Sequence, residues 1–229
     1  MALAQSPQKF EVASIRPAAD GTRGTSFDMF EGGLLRVTSV TLYSLIRSAW
    51  MLQSSQVSGG PGWLDSDRYD IEAKSGQPER IDTEHLQPLL QNLLVDRFAL
   101  KFHWETRELP VYALVVDKSG PRLKPDPDAP MTILNTRHGS GKARIIGTKI
   151  SMEEFARSIG TELGRVAIDK TGLAGGYDVD FEWETEPAAD SLSPSIFTAL
   201  REQLGLRLET QKAPVNVLVI DSVERASAN

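Results

Sequence analysis

Cysteine is absent from all 229 residues. That removes disulfides, thiolate nucleophiles and zinc sites built on thiolates. Histidine is scarce: His85, His103 and His138 stand far apart, with neither H-x-H nor H-x-x-x-H spacing. No metal-ligating pattern results, and neither a metal nor any other cofactor is expected. No run approaches 18 consecutive apolar residues, so no membrane-spanning helix is expected. Positive charge is in deficit, with 25 basic against 31 acidic residues and a net charge of −6. A chain of that sign is not expected to coat nucleic acid or anionic lipid. The rest of the composition, 40% hydrophobic and 24% charged, is ordinary for a globular fold. The length suits one large domain or two small ones.

What the chain does have is self-similarity. Slid by roughly 105–110 residues, it matches itself in four blocks that keep their order. Leu35–Leu42 lies against Ile145–Met152, and Leu45–Ser48 against Phe155–Ser158. Pro61-Gly62-Trp63-Leu64 with Arg68-Tyr69-Asp70-Ile71 lies against Thr171-Gly172-Leu173 with Gly176-Tyr177-Asp178-Val179. Pro110–Asp117 lies against Pro214–Asp221. An internal duplication is expected, with a tail and added strand over 1–33, a first repeat unit over 34–119, a linker or exposed hairpin over 120–142, and a second unit over 143–229. The spacing admits either separate domains or one shared sheet.

Each half reads as βαββαββ. A strand over Leu34–Val40 ends at Thr41, a good helix N-cap, and Leu42, Leu45, Ile46 and Ala49 then recur at helical spacing. In the second half Ser151 caps, Glu154 completes a capping box, and Met152, Phe155, Ala156 and Ile159 form the stripe. Tyr69, Ile71 and Ala73 alternate with charged residues, as do Tyr177, Val179, Phe181 and Trp183. Such period-two patterns predict strands with one buried face. Second helices are expected around Leu86–Leu94 and Ile196–Leu204, and hairpins turning at Pro110 and Pro214 close each unit. The predicted class is α+β: duplicated units with mostly antiparallel sheets, each covered by two helices. The expected core includes Leu45, Leu90, Leu93, Leu114, Phe155, Leu200, Leu204 and Leu218.

Phe10-Glu11-Val12-Ala13-Ser14-Ile15-Arg16-Pro17, Gly60-Pro61-Gly62-Trp63-Leu64 with Arg68-Tyr69-Asp70-Ile71, Asp169-Lys170-Thr171-Gly172-Leu173 with Gly176-Tyr177-Asp178, and Gln203-Leu204-Gly205-Leu206 act together as a motif set. In combination they resemble a family of secreted soil-bacterial proteins of unknown function. The resemblance implies export, and a domain also found appended to membrane metallopeptidases of the beta-lactam-sensor type. It implies no catalytic residues. A looser resemblance, in topology, is to the short N-terminal modules of secretins and TonB-dependent receptors. Export agrees with Met1-Ala2-Leu3-Ala4-Gln5, where Ala2 and Ala4 fit an A-x-A cleavage pattern. A signal peptide removed before Ser6 or nearby is expected, with the protein secreted or periplasmic.

Several fragments suggest chemistry. Lys170-Thr171-Gly172 matches the K-T-G element of acyl-serine enzymes, but Ser6-Pro7-Gln8-Lys9 and Ser66-Asp67-Arg68 are poor companions for it. Gly139-Ser140-Gly141-Lys142-Ala143 is an incomplete phosphate loop, since Thr136 stands where a glycine is needed. Asp178, Asp180, Glu182 and Glu184 place four carboxylates on one strand face. Residues two apart on a strand lie about 7 Å from each other, within the separation that glycoside hydrolysis uses. Two equivalent turns carry Trp63, Asp65 and Asp67 in one copy and Asp169 and Lys170 in the other. Loops on a rigid sheet commonly carry binding residues.

The expectation is a monomeric, exported module that binds a protein or glycan partner at the cell envelope or outside the cell. The five turn residues are its candidate binding set. The rival is a glycosidase-like hydrolase of an envelope or extracellular polymer, with Asp178, Asp180 and Glu182 as candidate acid and base. Converging carboxylates with a raised pKa would favour the enzyme.

Overall fold

In the computed structural model the protein is described over residues 9–19, 24–76, 78–79, 81, 83–126, 133–185 and 195–226. The candidate cleavage segment, Ser6, residues 127–132 of the expected linker and residues 186–194 lie outside these. The fold is α+β, with three mostly antiparallel sheets.

The first part of the chain forms β1 (Val12–Pro17), β2 (Ser26–Phe30), β3 (Leu34–Thr41), α1 (Leu42–Trp50), β4 (Val57–Gly59), β5 (Arg68–Lys74), α2 (Thr83–Phe98) and β6 (Lys101–Val116). There follow β7 (Lys124–Pro125), β8 (Ile133–Gly139), β9 (Lys142–Ile150), α3 (Met152–Leu163), β10 (Ala167–Asp169), β11 (Tyr177–Glu184), α4 (Ile196–Ala199) with a π-helical turn Leu200–Leu204, and β12 (Leu206–Ser222). From β3 to β6, and again from β9 to β12, the order is strand, helix, short strand, strand, helix, long strand.

The chain separates into two compact units, Met1–Arg107 with Val215–Asn229, and Glu108–Pro214. The first unit therefore includes the last part of β12, whereas the second is one continuous stretch of chain. The repeat limits near 34–119 and 143–229 are not coextensive with these units, whose boundaries fall inside β6 and β12.

In the first unit the sheet β1-β5-β3-β2 is antiparallel. Tyr69, Ile71, Ala73, Leu35, Val37 and Ile15 face a core shared with α1 and α2, joined by Leu218 and Ile220 of β12. The Thr41 hydroxyl accepts from the Ser44 amide and starts α1, whose buried residues are Leu42, Leu45, Ile46 and Ala49. In the second unit the sheet order is β7-β11-β9-β8. Its core holds Val179, Phe181 and Trp183 with Met152, Phe155, Ala156 and Ile159 of α3, Leu200 and Leu204 after α4, Leu114 of β6 and Leu206 of β12. Ser151 and Glu154 form the capping box that starts α3. All eight residues expected in the core are buried.

A bulge recurs in the two sheets. Ser39 in β3 has φ 51° and Lys149 in β9 has φ 53°, and a register shift accompanies each. Non-glycine residues rarely adopt this left-handed region. In the first unit a specific bond supports it: the Ser39 amide donates to an Asp70 carboxylate oxygen at 2.8 Å.

The hairpins expected at Pro110 and Pro214 do not occur. Each proline lies inside one uninterrupted strand, β6 or β12. The reason for Pro110 is visible in its ladder. The Tyr112 amide donates to Val166 and the Leu114 carbonyl accepts from Lys170, so even-numbered residues of β6 turn toward β10. Pairing with β10 begins only at Tyr112, opposite Ala167. Pro110 thus stands before the partner strand starts, where its missing N–H breaks no ladder bond.

Phe155 is fully buried and meets Phe181 edge-on, ring centroids 6.0 Å apart. Phe155→Ala should lower unfolding stability by about 3–5 kcal/mol, measured by urea denaturation. A loss under about 1 kcal/mol would show that α3 does not pack on β11.

Candidate functional site

Alternation that buries one face of the first sheet leaves the other to charged and polar side chains in three cross-strand rows. Val12, Lys74, Leu34 and Phe30 are opposed in one row, and Ser14, Glu72, Arg36 and Asp28 in the next. The third opens with Arg16 opposite Asp70, and Thr38 opposite Ser26 lies beyond the bulge. These rows form an open groove of about 580 Å³, whose lining includes Arg16, Arg36, Asp70, Glu72, Lys74 and Leu34. That volume falls within the range of ligand sites.

Both anions of the groove are engaged. Glu72 meets Arg36 at 3.4 Å, and Asp70 holds the Ser39 amide. The Arg36 guanidinium also lies 5.5 Å from the centroid of the exposed Phe30 ring. Sequence patterning marks Asp70, Glu72 and Lys74 only as the wet side of a strand. The groove was not legible there, because it needs β1 and β3 placed on opposite sides of β5. This placement comes from pairing between residues up to 62 apart, as for Val12 and Lys74.

The acidic strand face in the second unit is a ladder of ion pairs. Arg144 reaches Asp180 through two hydrogen bonds, Nε at 2.7 Å and Nη2 at 2.5 Å. Lys142 reaches Glu182 at 2.9 Å, and Lys124 lies 3.9 Å from Asp178. The Arg144 hydrogen bond holds the Asp180 carboxyl below its ordinary range, partly offset by desolvation. A general acid needs the opposite shift. Trp183 is buried against Phe181, with ring centroids 5.0 Å apart.

The candidate turns fall in different units. At the first, Trp63 is half-buried on the core, and the Arg225 guanidinium sits 4.9 Å from its ring centroid. Arg225 also donates to Asp67 at 2.7 Å, joining Trp63 and Asp67 in one cluster, while Asp65 is exposed. Gly59 before this turn has φ +80°, and a Cβ there would stand 2.8 Å from the Ile220 carbonyl oxygen. Its glycine thus serves strand pairing. At the second turn the Asp169 carboxylate accepts from the Thr171 amide and hydroxyl, both at 2.8 Å. Asp169 thereby shapes its own turn, and Thr171 of the K-T-G fragment is spent within it. Lys170 is exposed, with its amide bonded to Leu114. The phosphate-loop fragment is the β8–β9 hairpin turn, with Ser140 at φ 52° and Gly141 at φ 75°.

Two strand flanks are occupied by side chains. Arg97 of α2 donates to the Ala13 carbonyl of edge strand β1 at 2.7 Å. Where β11 runs past the short β7, Gln203 donates to the Glu182 carbonyl at 2.7 Å and accepts from its amide at 3.2 Å. Such contacts block strand addition at those flanks.

One titratable cluster in the first unit gathers around His103, for which the sequence suggests an ordinary cross-strand pair without naming its partner. His103 Nδ1 lies 2.8 Å from Asp221, and Nε2 lies 3.2 Å from Glu105, which also binds Arg107. Partners 118 residues apart in sequence leave no local signal. Among the described residues no group of three or more His, Cys, Asp or Glu is disposed to hold a metal ion, and no helix is long and apolar enough to cross a membrane.

Residues 43–223 match the family model described as Protein of unknown function (DUF3738). No curated protein and no solved structure matches the chain.

Hydrogen bonds donated by His103 to the Glu105 and Asp221 carboxylates raise its pKa above the ordinary value. A group whose pKa rises on folding stabilises the fold while protonated. Its contribution is complete below the unfolded pKa of about 6.5 and is lost as pH rises through the higher folded value. The urea midpoint of the parent should therefore exceed that of His103→Gln most between pH 5 and 6, and the gap should shrink toward pH 9. A gap independent of pH would show that the imidazole charge adds nothing.

Proposed function

The chain belongs to the family of unknown function that its residues 43–223 match, and from that premise we propose that it is a binding module. Its ligand surface is the open groove of the sheet β1-β5-β3-β2. The observation that carries this reading is the groove itself, about 580 Å³ of concave, charge-lined sheet surface. Exposed ion pairs such as Arg36–Glu72 are weak, about 0–1 kcal/mol, so ligand groups replace them at small cost. The working place, at the cell envelope or outside the cell, rests on the resemblance of the motif set to secreted proteins. The hydrolase reading finds less support, because Asp180 and Glu182 are each held by a cation.

The test is retention of the purified protein on an insoluble bacterial envelope preparation, with release of soluble sugar followed in parallel. Arg36→Glu should reduce retention by about tenfold while leaving unfolding stability within about 0.5–1 kcal/mol of the parent, as surface changes usually do. Asp180→Asn should bind as the parent does. Sugar release by the parent that disappears in Asp180→Asn would replace the binding module with the hydrolase.

A further inference from the structure

We infer that the groove takes an extended peptide carrying two carboxylates four residues apart; this rests on the reading of the groove as the ligand surface. The argument is one of unmatched charge. The groove contains three cations, Arg16, Arg36 and Lys74, and two anions, Asp70 and Glu72. Arg36 and Glu72 neutralise each other, and Asp70 accepts the Ser39 amide. Arg16 and Lys74 are both exposed. Among the described residues neither forms an ion pair or a side-chain hydrogen bond, although the chain as a whole carries a net charge of −6. Two cations in one concavity of an acidic protein, neither of them paired among the described residues, call for anions from a ligand.

Their spacing sets the ligand's form. Arg16 is opposite Asp70 and Lys74 is opposite Val12, four residues further along the same pair of strands. At about 3.4 Å per residue, the two cations stand about 14 Å apart. An extended peptide lying along β5 presents residues i and i+4 on one side at the same separation. The intervening i+2 side chain then meets the Arg36–Glu72 pair and needs no charge. At the Lys74 end, Leu34 and the exposed Val12 offer apolar surface, with Phe30 completing that cross-strand row. Arginine suits a carboxylate because its planar fork donates two parallel hydrogen bonds, while Lys74 acts as a point charge.

Fluorescein-labelled peptides containing Glu-Ser-Val-Ser-Glu, Glu-Ser-Glu or Lys-Ser-Val-Ser-Lys, with a neutral chitin oligosaccharide as the fourth probe, test this by fluorescence anisotropy against the full chain. The four-spaced acidic peptide should bind tightest, and Arg16→Ala or Lys74→Ala should each weaken it about three- to fivefold. Binding should also weaken as salt is raised from about 0.02 to 0.3 M, because exposed charges are screened. Equal binding of acidic and basic peptides, or no effect of either substitution with circular dichroism unchanged, overturns the acidic-peptide assignment. Binding of the oligosaccharide alone, abolished by Arg36→Glu, overturns the assignment and leaves the groove in place. If no probe binds and Arg36→Glu also leaves envelope retention unchanged, both the assignment and the groove fall.

Discussion

Everything in this protein depends on covering one face of each half-apolar sheet. The strands of β5 and β11 alternate, so each sheet exposes an apolar face that two helices must bury, and in both units the helices alone do not complete the core. Leu218 and Ile220 finish the first and Leu206 and Leu114 the second. These residues lie on strands of 16 and 17 residues, beyond the usual strand length. Such strands run about 50 Å or more. Closure of the first core therefore waits for the last residues of the chain to arrive, a non-local demand of the kind that slows folding.

The same alternation fixes what remains outside. Every buried apolar residue in β5 or β11 leaves a polar neighbour on the opposite face. In the second unit that face is nearly balanced by Lys142 and Arg144, which bind the acidic residues of β11 diagonally. Acidic side chains that look like a catalytic set along one strand are neutralised by the strand beside them. In the first unit Arg36 binds Glu72, and Arg16 and Lys74 form no ion pair among the described residues. The two sheets, alike in order, thus differ in the polar residues their strands present.

Side-chain hydrogen bonds fasten two strand flanks and both candidate turns. Arg97 and Gln203 supply the bonds that a neighbouring strand would otherwise make, and Arg225 fastens the turn that carries Trp63 and Asp67. Asp169 and Thr171 fold their own turn. Turns of this kind require particular residues for their shape.

The α+β class, the alternating strands β5 and β11, the four helices with their caps at Thr41 and Ser151, and the buried stripes were legible in the sequence because each is set by neighbours within a few residues. Period two, period 3.6 and side-chain capping are local properties. Pro110 and Pro214 misled for the same reason: proline signals a turn locally, and only its position relative to β10 shows that β6 continues through it. The groove, the neutralised acidic ladder and the His103–Asp221 pair were decided by tertiary structure. Which strand lies beside which depends on burying both cores at once, and no local pattern carries that information.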